Sequence, residues 1–300
     1  MRILFSLITG LSAVAAASFP SSGSRALPTT TARPVALPRP QNLAYPWQPG
    51  RAAASQSLAA RFAPPPGCQR VAAPAGSWGE WLRWLPLKPA GTRARLFNGQ
   101  PKDRPDVVAA VVDIDVPPQD LQQCADAIIR LRAEYGFGHD PNQVHFHLTT
   151  GYDFWFSDFV AGRTFRVMNE QVLPARRPAE APTHAALARY LVPTFGYAGT
   201  KSLSRELRPV PLAAVRPGDV LIHGGAPGHA VLVVDVAQHP ASHQQYVLLA
   251  QSYMPAQSIH VLRNIEAPAL GAWFAVPGAA EARFDTPEWT FAREELKRFE

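Results

Sequence analysis

A chain of 300 residues, 47% hydrophobic and 17% charged, can bury a full core, which excludes disorder along its whole length. Its net charge of +6 rests on scattered single arginines, with no Lys/Arg run and no interleaved aromatic platform, so nucleic acid is not an expected partner. Two cysteines exclude a disulfide scaffold and a four-thiolate zinc site, and 31 prolines, gathered early, mark a linker.

Arg2 precedes an apolar run over residues 3–17 (ILFSLITGLSAVAAA) with small residues at Ala15 and Ala17. This pattern predicts a secretory signal peptide over residues 1–17, since the run falls short of the ~20 residues of a spanning helix. The mature protein is then expected to be exported, periplasmic or extracellular, with no transmembrane segment after processing. Residues 18–61 are rich in Pro, Ser, Thr, Ala and Arg and show no period, so they are expected to form a flexible tether. A single globular domain is expected over residues 62–300.

Within that domain, WGEWLRWL (78–85) places Trp78, Trp81, Leu82 and Leu85 at helical spacing. The valine-rich DVVAAVVDIDV (106–116) reads as a buried strand. Pro117 and Pro118 are expected to start a helix running to Tyr135, with Leu121, Cys124 or Ala125, Ile128, Leu131 and Tyr135 on its apolar stripe. Residues 143–149 (QVHFHLT) alternate like a strand, and residues 185–195 read as a helix. The last third gives strands at 219–223, 230–237, 246–250 and 258–262, separated by a Gly-rich turn (224–228) and polar loops. Strands joined by short polar loops favour antiparallel pairing, and helices followed by strands predict an α+β fold with N-terminal helices packed on a mainly antiparallel sheet.

His229 stands at the head of a predicted strand, just after the Gly-rich turn, a rigid place for a general base. The lead-in RPGDVLIHGG resembles that of papain-like amidases and peptidases, which pair a helix-borne cysteine with a strand-borne histidine and an orienting polar side chain on the next strand. On that resemblance the arrangement is papain-like or NlpC-like, the nucleophile is Cys124, the orienting group is Gln251, and Gln122 or Gln123 donates to an oxyanion. The competing reading makes Cys124 a core cysteine two turns inside its helix, beyond the reach of the helix dipole. Ser252, Tyr253 and Gln257, in QSYMPAQ, suit a ligand-recognition loop. His145 and His147 share one strand face, with His139, His223 and His260 as further imidazoles, but no HExxH or cysteine-pair spacing accompanies them, and neither a metal nor a cofactor is expected. Cys68 is free or bonded to Cys124, a disulfide that would remove the nucleophile.

Four long segments, LQQCADAIIRLRAEY, YLVPTFGYAGTKSLSREL, GDVLIHGGAPGHAVLVVDVA and LLAQSYMPAQSIHVLRN, resemble the bacterial envelope family termed domain of unknown function 4846. The resemblance extends to WGEWLRWLPLKP, LFNGQPK and TPEWTF. It implies an exported envelope protein and carries no activity of its own. Together these readings predict a cysteine-dependent amidase or peptidase acting on cell-wall peptide or a similar amide. The alternative is a non-catalytic envelope module that binds its ligand in the same cleft.

Overall fold

The computed structural model describes residue 40, residues 43–48 and residues 56–300. The expected signal peptide and much of the expected tether lie outside these residues. In chain order the elements are α1 (Leu58–Arg61), β1 (Gln69–Arg70), α2 (Trp78–Arg83), β2 (Val108–Val111), α3 (Cys124–His139), β3 (His145–His147), β4 (Asp153–Trp155), α4 (Phe156–Val160), β5 (Arg163–Met168), β6 (Gln171–Arg176), α5 (His184–Tyr197) and α6 (Thr200–Glu206). The sheet-rich remainder comprises β7 (Arg208–Pro209), β8 (Val220–His223), β9 (His229–Gln238), β10 (Gln245–Gln251), β11 (His260–Leu262), β12 (Trp273–Ala275), β13 (Arg283–Asp285), β14 (Thr290–Ala292) and β15 (Leu296–Arg298). No described helix is long and apolar enough to cross a membrane.

The fold is α+β. Its main sheet follows the order β2-β11-β10-β9-β8-β15-β7, with β1 added to β9 and β12 to β10, and every pairing in it is antiparallel. The long central strand β9 is buried on both faces. Ala230, Leu232 and Val234 meet the helical layer, including Ala125, Ile128 and Leu82. Val231, Val233 and Val236 meet Phe284, Phe291 and Leu296 on the other side. Burial on both faces explains the uninterrupted apolar run AVLVV, which a strand with one wet face would break by alternation.

Two expectations are corrected. The helix expected from Pro117 begins at Cys124, because the residues before it are held in another conformation. Asp120 Oδ1 accepts from the Ala256 N–H at 2.6 Å and from Gln123 Nε2 at 3.1 Å, while Asp126 takes the Gln123 N–H at 3.1 Å and caps the helix there. The packed chain also reaches further toward the N-terminus than Phe62. The Tyr45 ring lies 5.0 Å from that of Trp81, and its hydroxyl donates to the Trp81 carbonyl at 3.0 Å. Leu58 is fully buried in the same core. For residues 43–48 and 57–61, single aromatic and aliphatic anchors dock the chain without any periodicity that a sequence pattern could reveal.

The one charge on the buried β9 run, Asp235, has no exposure and is met by Arg70 Nε at 2.6 Å and Arg83 Nε at 2.8 Å, tying β1 and α2 to the sheet. Asp235→Ala strands two largely buried guanidinium groups and is expected to cost about 3–5 kcal/mol. Urea unfolding checks this, and a loss below about 1 kcal/mol would show that the arginines find other partners. Nearby, Gly218 has φ +98°, and a Cβ there would come within 2.4 Å of Trp78 Cδ1. The glycine of RPGD is thus required by both its backbone conformation and its contact with α2.

Candidate active site

Two element starts frame the site. Cys124 is the first residue of the 16-residue α3, where main-chain N–H groups lack intrahelical acceptors. His229 is the first residue of β9. The turn before it is pressed against α6: the Thr200 hydroxyl donates to the Gly225 carbonyl at 3.1 Å, and a Cβ on Gly228 would lie 2.3 Å from that hydroxyl oxygen. Only glycine permits this approach, which fixes where β9 starts.

Sheet register then delivers the partner. Ala250 of β10 stands opposite Leu232 of β9, so Gln251 emerges beside the beginning of β9. The imidazole Nε2 of His229 donates to Gln251 Oε1 at 2.8 Å. Gln251 Nε2 in turn donates to Glu288 Oε2 at 2.6 Å, and Lys102 Nζ donates to Glu288 Oε1 at 2.7 Å. Tyr253, Trp289 and Phe291 enclose the His229 ring at centroid distances of 5.0, 5.5 and 6.0 Å. His229 is 2% exposed. Glu288, Lys102 and Trp289 were missed by sequence reasoning, because isolated charges in distant loops carry no spacing signal.

Burial governs the electrostatics. It lowers the His229 pKa to about 4, against the Gln251 hydrogen bond, with the Lys102 charge lowering it further. Burial also raises the Cys124 thiol to about 11, and the Asp126 carboxylate adds to this. The main-chain N–H groups of Ala230, Ala125 and Cys124 itself pull the thiol the other way. The Ala230 N–H places the sulfur against the residue that follows His229. No hydrogen bond joins the thiol to the imidazole, and the resting pair is a neutral thiol and a neutral imidazole. Asp126 is itself pushed well above the usual carboxylate range by burial, and its Oδ1 has no partner.

Asp126→Asn retains an acceptor for the Gln123 N–H and removes the charge that opposes a thiolate. Cys124 is therefore expected to alkylate severalfold faster at pH 9, with thermal stability unchanged or raised. An unchanged rate-against-pH curve would show that Asp126 does not govern the thiol.

Cys124 opens on a cleft of about 390 Å³ walled by Asp120, Gln123, Thr200, Met254 and the turn at 225–228. The other expected site residues are placed unevenly. Gln123 lines this cleft but spends its amide on Asp120, and Gln122 is buried with its Nε2 unpaired. Ser252 and Gln257 are buried: the Ser252 hydroxyl lies 2.9 Å from the carbonyls of both Gln122 and Gln257, latching the β10–β11 loop to the start of α3. Tyr253, half-buried against His229, remains at the site. Cys68 and Cys124 are both free. His145 stacks on Trp155 at 3.9 Å, His223 pairs with Glu295 at 2.6 Å, and His260 is buried. Among the described residues no group of three or more His, Cys, Asp or Glu side chains is arranged to hold a metal ion.

A family model, domain of unknown function (4846), matches residues 58–298. No curated protein and no solved structure matches the chain.

Proposed function

The chain belongs to that family of unknown function, and we propose that it is a cysteine-dependent amide hydrolase of papain-like design. The observation that carries this is a helix-opening Cys124 set against the Ala230 N–H, next in sequence to the strand-opening His229 whose Nε2 is engaged by Gln251. In this reading His229 Nδ1 takes the thiol proton, and the sulfur attacks the substrate carbonyl carbon to form a tetrahedral intermediate. Its collapse expels the amine with the proton from His229. Water, activated by the same imidazole, then cleaves the thioester and frees the thiol. The main-chain N–H groups of Cys124 and Ala125, which face the thiol at the start of α3, suit the oxyanion. The N-terminal leader pattern points to the envelope, where cell-wall peptide is the amide at hand.

The elevated thiol pKa favours a second reading, a non-catalytic module that binds its ligand in the same cleft. Alkylation separates the two. Under the hydrolase reading iodoacetamide labels Cys124 of the native protein at pH 7.5, and His229→Ala slows that labelling by roughly 10²-fold or more, the usual contribution of a general base. Labelling only after denaturation, or labelling indifferent to His229, would leave the binding module.

A further inference from the structure

Gln251 alone does not determine which proton His229 carries. A carboxamide offers an oxygen on one side and an NH₂ on the other, with nearly the same shape, so a glutamine beside an imidazole can accept from it or donate to it. The group behind Gln251 removes that freedom. Glu288 carries a carboxylate, an acceptor without a donor, and it receives Gln251 Nε2 at 2.6 Å. The amide oxygen must then face His229, which it meets at 2.8 Å, and an acceptor there requires a proton on Nε2. Nδ1 keeps its lone pair.

We propose that Glu288, held by Lys102, is a positioning residue that sets the tautomer of His229 through the Gln251 amide. The two charges come from loops 186 residues apart in sequence and meet at 2.7 Å with side-chain exposures of 6% and 8%. Lys102 also stands 5.3 Å from the Tyr253 ring. Lys102 gives this buried carboxylate its cation and occupies the oxygen that Gln251 does not. Because burial keeps His229 neutral down to about pH 4, the tautomer rather than the charge decides which ring nitrogen is basic across the neutral range.

The catalytic meaning of this relay rests on the hydrolase reading, but the tautomer does not. In protein labelled with ¹⁵N-histidine at pH 7.5, the His229 ring, assigned by its loss in His229→Gln, is expected to show a protonated Nε2 and an unprotonated Nδ1. A protonated Nδ1 in the wild-type protein overturns the proposal without recourse to any variant. The double variant K102M/E288Q removes both charges together, leaving no buried unpaired ion, and puts an amide opposite Gln251 that both donates and accepts. Nδ1–H should then become detectable, and under the hydrolase reading kcat should fall at least tenfold with KM held. A spectrum that stays purely Nε2–H would reduce Glu288 to a packing role. If the tautomer shifts as expected while the wild-type protein cleaves nothing, the positioning stands and the hydrolase reading falls.

Discussion

Cys124→Ala is expected to abolish amide hydrolysis, with kcat falling roughly 10⁴–10⁶-fold, the scale on which loss of a covalent nucleophile is felt. Digestion of cell-wall peptide by the wild-type protein and the variant, with new amino groups counted by an amine-reactive dye, measures it. The effect should be this large because the thiol is half-buried at the head of α3, and no second nucleophile joins it among the residues lining the cleft except the Thr200 hydroxyl, which donates to the Gly225 carbonyl. The fold should survive the change. Alanine is a good helix former, Gln123 remains the N-cap, and the cap's hydrogen bond runs from the Gln123 N–H to Asp126 rather than through the sulfur. Equal turnover by the variant would remove Cys124 from the chemistry and leave the cleft to binding.

The sheet was legible in the sequence because its strands carry strong local signals: β9 is a continuous apolar run, β10 is another, and the polar loop between them enforces the antiparallel return that brings Gln251 to His229. The start of α3 was not legible. Pro117 and Pro118 are sound helix openers by local rule, and only the tertiary capture of Asp120 by the Ala256 N–H, together with the Asp126 cap, moves the first helical residue to Cys124. That shift of seven residues places the cysteine at the dipole-bearing end of the helix, where the expected register had put it in the core stripe. Ser252 and Gln257 show the opposite failure. A polar, aromatic loop reads as a ligand contact, yet these side chains satisfy buried main-chain groups that no composition reveals. Lys102 and Glu288 are ordinary surface charges by sequence, and burial in a shared pocket behind Gln251 makes them a pair.

Acidification from pH 6.5 toward pH 4 is expected to destabilise the fold well before general acid denaturation. His229 and His260 are almost fully buried, and burial lowers both from 6.5 to about 4. The unfolded chain takes up a proton at each near pH 6.5, while the folded chain refuses both until about pH 4. Stability is thus complete above pH 6.5 and is lost as pH falls through the window, by about 3 kcal/mol for each histidine at its lower end. Asp126 has the opposite sign. Burial raises its folded pKa well above 3.8, so through the lower part of the window the folded chain keeps a proton that the unfolded chain has released, and stability falls there as pH rises. Asp106 and Glu180, paired with exposed arginines, are screened by water and add little. Asp126 therefore offsets part of the proton uptake by the two histidines. The urea midpoint should fall from pH 6.5 to pH 4.5 in the wild-type protein. Asp126→Asn removes the opposing group and should steepen that fall, and His260→Leu should make it shallower. A midpoint independent of pH between 6.5 and 4.5 would mean that at least one of these imidazoles is hydrated and free to ionise in the folded chain, and His229, whose neutral state the site requires, would be the first to re-examine.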